Sequence, residues 1–310
     1  MICFLGISVF LIVVLGGSYY AYKLAFFNDI RDDDIYHVPN TPQYQAQAEK
    51  MRASVRKMAD CPYEQVYITA RDGITLAARY YHFVDGAPLQ IQMHGYRGSA
   101  LRDFCGGHAL ARKMGHNALT VDQRAHGKSG GNVITFGIKE RFDCLSWIQY
   151  ANQRFGKQTP IILSGVSMGA STVLMASELD LPENVVGVIA DCPYSAPGAI
   201  IQKVCKDMKF PPKLLYPFVV LAGLMYGHFR IWDSSAEKAV IRTKIPALVI
   251  HGEDDRFVPC EMSRAIRRAN REKVTLETFP EAGHGLSYLL DPQRYETVVR
   301  SFMEKCLGKE

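Results

Sequence analysis

Ten residues constrain this chain more than any others: Ile161-Ile162-Leu163-Ser164-Gly165-Val166-Ser167-Met168-Gly169-Ala170. An apolar lead runs into a G-x-S-x-G pentapeptide, Gly165 to Gly169, and Ala170 to Ala176 can continue as a helix. The pattern is a strand, a tight turn with serine at its apex, and a helix. A serine at such an apex takes a strained backbone conformation, and the positions two before and two after it come too close for side chains. The following helix aims free N–H groups at the space beside the hydroxyl. A plainer reading is an ordinary turn with Ser167 as an N-cap. The pentapeptide does not choose between the two; the rest of the chain does.

The 310 residues allow one large α/β domain or two small ones. Glu64–Thr69 and Ile74–Tyr81, around Asp72-Gly73, predict an antiparallel hairpin. Strands are then expected at Leu89–Met93, Asn117–Val121, Ile161–Leu163, Val185–Ala190, Ala247–Ile250 and Val274–Phe279. Helices are expected at Phe104–Met114, 135–155, 260–270 and 292–306. The second of these should bury Phe142, Leu145, Trp147 and Ile148. This alternation predicts an α/β fold with a mostly parallel central sheet and helices on both faces. Reactive groups in such sheets gather at the carboxyl ends of the strands. Residues 193–244, rich in proline, break the alternation and read as a helical cap over that end. The apolar run from Leu214 to Tyr226 inside it is too short to cross a membrane.

Residues 2 to 22 carry no charge, and Lys23 ends the run behind Tyr19, Tyr20 and Tyr22. The length and the tyrosine belt predict a transmembrane anchor at 1–23. A cleaved signal peptide and a buried core helix are the alternatives. No basic residue leads the run, as a signal would have, and no polar face marks a core helix. Lys23 and Arg31 follow the run and none precedes it, so the positive-inside count leans to a cytoplasmic catalytic domain. Asp29, Asp32, Asp33 and Asp34 blur that count. Residues 24–59 read as a linker, from Asn28 to about Pro42, and an amphipathic helix carrying Tyr44, Ala48, Met51, Val55 and Met58. The main domain is expected over 60–310.

A serine nucleophile needs a base, and the base an orienting carboxylate. The strand at 247–250 runs into His251-Gly252-Glu253-Asp254-Asp255-Arg256-Phe257-Val258-Pro259, and that at 274–279 into Pro280-Glu281-Ala282-Gly283-His284-Gly285. An acid and then a histidine thus follow Ser167, each behind its own strand. Met168, next after the serine, offers a backbone N–H to an oxyanion.

These segments join two others, His94-Gly95-Tyr96-Arg97-Gly98-Ser99 and Asp122-Gln123-Arg124-Ala125-His126-Gly127-Lys128-Ser129. In this order the five blocks resemble the α/β-hydrolase superfamily over residues 60 to 306. More narrowly they resemble bacterial membrane-anchored hydrolases of the serine aminopeptidase-like and BEM46-like groups. The resemblance implies an α/β-hydrolase fold, Ser167 as nucleophile, His284 as general base and Asp255 as the acid of an H-G-x-x-D-x-x-V-P block. Asp191, at the end of another strand, is the rival acid. The second oxyanion donor falls on the backbone of Tyr96, while His94, His126 and His251 take loop-fixing roles.

The implied function is a serine hydrolase, first a carboxylesterase acting on a small acyl ester or lipid-like substrate through an acyl-enzyme. A serine peptidase of aminopeptidase type is the second reading, although the cap holds only Glu237, Asp207 and Asp233 to grip a free amine. A non-catalytic binding protein that kept the fold is the third. No nucleic-acid partner is expected, since the net charge is only +5 and the basic residues are dispersed. No metal is expected, because the eight cysteines show no C-x-x-C pair. No cofactor is expected either: there is no G-x-G-x-x-G after a strand and no P-loop lysine.

Overall fold

The computed structural model describes residues 2–29 and 34–308. Arg31, Asp32 and Asp33, part of the charge count above, lie outside the described residues. The chain opens with α1 (Ile2–Ala25), a short α2 (Pro42–Gln45) and α3 (Ala48–Ala59). Then come β1 (Glu64–Thr69), β2 (Thr75–Tyr81), β3 (Leu89–Met93), α4 (Ala100–Lys113), β4 (Asn117–Asp122) and α5 (Glu140–Phe155). The elbow is β5 (Ile161–Val166) followed by α6 (Met168–Ala176). After β6 (Val185–Asp191) the cap supplies α7 (Pro197–Asp207), α8 (Pro212–Met225) and α9 (Ala236–Arg242). The chain closes with β7 (Ala247–Gly252), α10 (Cys260–Ala269), β8 (Val274–Phe279), α11 (Ser287–Leu290) and α12 (Pro292–Cys306).

The eight strands form one sheet in the order β1-β2-β4-β3-β5-β6-β7-β8. β2 pairs antiparallel with β1 and β4; every other pair is parallel. The period-two side-chain alternation divides the core. Ile161 and Leu163 of β5 pack with Trp147 and Ile148 of α5 and Val173 and Leu174 of α6. Ile162, between them, faces the other way and meets Val299 and Met303 of α12. Helices therefore cover both faces, and a sheet of this kind collects its reactive loops at the ends of β5, β7 and β8.

Three expectations need adjusting. α5 begins at Glu140, not at 135. The Glu140 carboxylate accepts from the Thr135 and Gly137 N–H groups at 2.7 and 2.9 Å, and Phe136 and Gly137 have positive φ, so the preceding residues form a capping turn. That helix buries Cys144, Trp147, Ile148 and Ala151, while Phe142 and Leu145 are half-buried. The third concerns the segment after α1. Phe26 is fully buried, Phe27 bridges Val133, and Asn28 donates to the Ala125 carbonyl at 2.7 Å. These residues form a short antiparallel bridge on the domain, so the linker cannot begin at Asn28.

Helix α1 is long and apolar enough over Gly6–Ala25 to cross a membrane. Its second half is also docked. Ser18 and Tyr22 are buried and Val14, Gly17, Ala21 and Ala25 half-buried, one face at helical spacing. The face is made of small residues, which let backbones approach: a Cβ on Gly17 would lie 3.0 Å from the Phe218 ring of α8.

Candidate active site

The elbow is held by crowding. Ser167 sits at φ 55° and ψ −114°, a left-handed region that ordinary residues occupy only under constraint. A Cβ on Gly165 would fall 2.3 Å from the Gly169 carbonyl carbon, and one on Gly169 would fall 1.8 Å from the Met93 carbonyl oxygen. Only glycine fits at either place. The Ser167 N–H donates to the Asp191 carbonyl at 2.8 Å and so ties the apex to the neighbouring strand.

The loops after β7 and β8 bring the other groups to this apex. His284 Nε2 lies 2.9 Å from Ser167 Oγ, and His284 Nδ1 lies 2.6 Å from Asp255 Oδ2. With the Nδ1–H tautomer, the imidazole donates to Asp255 and accepts from the serine hydroxyl. Asp255 Oδ1 accepts from the Phe257 and Val258 N–H groups at 2.9 and 2.8 Å. His251 Nε2 stands 3.2 Å from Asp255 Oδ2. Burial raises the Asp255 pKa, but hydrogen bonds from His251 and His284 outweigh it and hold the carboxyl well below its ordinary range. The group is therefore an anion at neutral pH, aimed at the imidazole.

The rival acid is engaged elsewhere. Asp191 Oδ2 accepts from Tyr295 Oη at 3.0 Å, and burial pushes its carboxyl up to about 6. The residues brought together are Ser167, His284 and Asp255, with the Asp191 carboxylate apart from the chain of bonds.

The turn after β3 packs against the serine: a Cβ on Gly95 would stand 3.3 Å from Ser167 Cβ. The Gly95 N–H is taken by Asp103 Oδ2 at 2.8 Å and the Arg97 N–H by His126 Nε2 at 3.0 Å. Tyr96 lies between them. Met168 is the first residue of α6, where N–H groups have no acceptor within the helix. His94 Nε2 accepts from the Gln123 N–H at 3.0 Å, so the 122–129 loop braces this turn.

Cys192, Asp255 and His284 also place donor atoms within 4.8 Å of one another, a spacing that could suit a metal. The chemistry does not fit. Both His284 nitrogens face partners, and burial raises the Cys192 thiol well above its ordinary range, keeping it protonated.

Several contacts carry no sequence signal. Tyr44 Oη donates to the His284 carbonyl at 2.6 Å, and Gln43 Nε2 to Asp254 Oδ2 at 2.6 Å, so α2 clamps the loops after β7 and β8. Over Ser167 opens a cavity of about 510 Å³, within the range of small-molecule sites. Phe136 and Tyr194 line it with the serine, α7 and α8 form one side, and α1 forms another. Among the described residues no charged side chain lines it.

Comparison with known proteins gives one fold. The profile of the Alpha/beta hydrolase family matches residues 93–298. Protein ABHD12B of Homo sapiens is 26% identical over 241 residues, 71% of this chain and 62% of that protein. The uncharacterized protein YqkD of Bacillus subtilis is 24% identical over 192 residues, 62% of this chain and 63% of its own length. The matched regions thus span less than two thirds of either relative. The Pyrococcus furiosus esterase Pf2001 superposes with a TM-score of 0.68 at 23% identity, covering 90% of this chain and 98% of that one. The mostly parallel sheet, the serine elbow between β5 and α6, and the profile match over 93–298 lead to one assignment: this chain belongs to the Alpha/beta hydrolase family.

Proposed function

We propose that the chain is a serine hydrolase that cleaves carboxylic esters through an acyl-enzyme. The observation that carries this reading is the unbroken run of hydrogen bonds from Ser167 through His284 to Asp255 at the foot of an uncharged cavity. Ser167 Oγ attacks the ester carbonyl while His284 Nε2 takes its proton. Asp255 holds the ring and offsets the imidazolium charge. The backbone N–H groups of Met168 and Tyr96 receive the developing oxyanion. The carbon–oxygen bond of the ester then breaks, and the alcohol leaves with the proton from His284. Water repeats the sequence on the acyl-serine and regenerates the hydroxyl.

The cavity lining favours esters over peptides. An aminopeptidase needs a carboxylate near the acyl site to hold the substrate's free amine, and Glu237, Asp207 and Asp233 are all absent from the lining. The esterase activity named for the Pyrococcus protein points the same way. On this reading α1 is a membrane anchor and the substrate a small acyl ester or a lipid. The test is p-nitrophenyl ester turnover with fluorophosphonate labelling. Ser167→Ala should lower kcat by roughly 10⁴-fold or more and abolish labelling. Full turnover in that variant would remove the assignment, and failure of the native serine to label would favour a non-catalytic role.

A further inference from the structure

One wall of the cavity comes from the element that composition alone assigns to a tether. Val13, Gly17, Tyr20, Ala21 and Leu24 of α1 line it. Ile200, Ile201 and Val204 of α7 stand in the same lining, with Leu215, Phe218 and Val219 of α8. The neighbouring Gly16 turns away, and a Cβ there would meet nothing within 4 Å.

The wall has a direction. Its C-terminal end is fastened beside the nucleophile: Tyr96, which lines the cavity with Ser167, donates through Oη to the Ala25 carbonyl at 3.0 Å. The Arg97 guanidinium caps the same helix end, donating to the Leu24 and Phe27 carbonyls at 3.1 and 3.0 Å. From there the helix leads away, and Val13 lies roughly 18 Å farther along at about 1.5 Å per residue. A chain bound at Ser167 and lying against α1 therefore points toward the helix N-terminus.

Length decides what that end faces. Among the described side chains of α1 burial begins at Val14, and the segment Ile2–Val13 precedes it. That part is roughly 18 Å long, against about 30 Å for the hydrocarbon core of a bilayer. An α1 that crosses a membrane must therefore carry its docked half, and the cap beside it, down to the lipid. The cap is suited to this: Met208, Phe210, Leu214, Leu224 and Met225 are exposed apolar side chains.

We propose that α1 is the measuring wall of an acyl site. A long-chain acyl ester drawn from the bilayer places its carbonyl at Ser167 and its tail along α1 toward Val13. This rests on the ester-hydrolase reading above. Burying each methylene against the wall should raise kcat/KM by about fourfold until the wall ends.

The test uses the full chain in lipid nanodiscs and p-nitrophenyl esters from acetate to palmitate. Ala21→Trp should lower turnover of chains of about twelve carbons or more at least a hundredfold relative to acetate turnover of the same variant. Val13→Trp, at an exposed position that folding does not depend on, should lose only the longest chains. Gly16→Trp, on the same helix but turned from the cavity, should keep the native profile. An unchanged chain-length profile in both Ala21→Trp and Val13→Trp overturns the proposal. So does a Gly16→Trp profile as altered as that of Ala21→Trp. Acetate turnover reports on the hydrolase reading separately: its survival in Ser167→Ala removes that reading, whereas an unchanged profile with normal acetate turnover removes only the wall.

Discussion

The site is held in place by two kinds of physics. At its foot, positions are set by directional bonds and backbone crowding. Both His284 nitrogens have partners, both Asp255 oxygens accept, and the glycines of the elbow exclude any side chain. In the rim of packed rings that holds α1, of which only Phe136 lines the cavity, positions are set by packing without direction. Tyr22 lies 5.6 Å from Tyr226 between ring centres, and Phe26 meets Phe229 and Phe136 edge to face at 5.0 and 5.9 Å. A bond network tolerates almost no change of atom type, whereas an apolar wall tolerates change of type and responds to volume. The foot should therefore govern whether reaction occurs, and the rim which chain reacts.

The largest effect that tests this contrast is expected at the foot. Asp255→Asn should lower kcat by roughly 10³–10⁴-fold with little change in KM, because an amide cannot hold the imidazole tautomer or stabilise its charge. Steady-state ester kinetics check it, and an equal loss in Asp191→Asn would transfer the role to the rival acid. At the rim, Phe26→Ala should cost about 3–4 kcal/mol of stability by opening a cavity at a fully buried ring. Acetate turnover per folded molecule should stay within about threefold. Denaturation and kinetics on the same sample decide, and a catalytic loss like that of Asp255→Asn would erase the distinction between the two ends.

Two smaller effects sharpen it. The Asp255 pKa is depressed in the fold, so its contribution to stability is present above the unfolded value of about 4 and is lost as pH falls below that toward the lower folded value. Asp191 has the opposite sign. Its pKa is raised to about 6, so ionising it costs stability as pH rises from about 4 to 6. Asp191→Asn should therefore be about 3 kcal/mol more stable than the native chain at pH 8 and about equal to it near pH 3.5. Denaturant titrations at the two pH values check this; a pH-independent difference would exclude a raised Asp191. The smallest effect is Tyr44→Phe. Losing the hydrogen bond to the His284 carbonyl should cost about 1 kcal/mol and lower kcat/KM roughly twofold to fivefold.

The same division explains what could be read from the chain. Gly165 flanks Ser167 in one pentapeptide because the turn folds it onto Gly169 and Ala170, whereas Gly169 is crowded by Met93 and His94 of a distant strand end. Asp255 and His284 were legible because each follows its own apolar strand. The pairing of Asp255 rather than Asp254 needed the V-P context, since composition does not tell neighbouring carboxylates apart. Asp103 and Gln43 left no trace, and Tyr44 read only as an apolar position of an amphipathic helix, because their partners lie elsewhere in the chain. The start of α5 was misplaced because the helix-like pattern continues into a turn that Glu140 closes from behind. The docking of α1 was hidden for another reason. A helix apolar all round has no preferred side, so no periodicity announces the face that packs.

The docked helix also sets an order of events during synthesis. Its buried face waits for Tyr96 and Arg97, then for Phe218 and Tyr226, which close over it from α8 and its cap residue. Those last residues leave the ribosome about two hundred positions after the helix, at roughly 5–20 residues per second. For some 10–40 s the most apolar segment of the protein exists without its partners. A bilayer would keep such a helix folded over that interval, because in lipid every backbone polar group must be satisfied within the helix. If α1 is the membrane anchor proposed above, insertion comes before assembly, and the domain finishes folding onto a helix already in place.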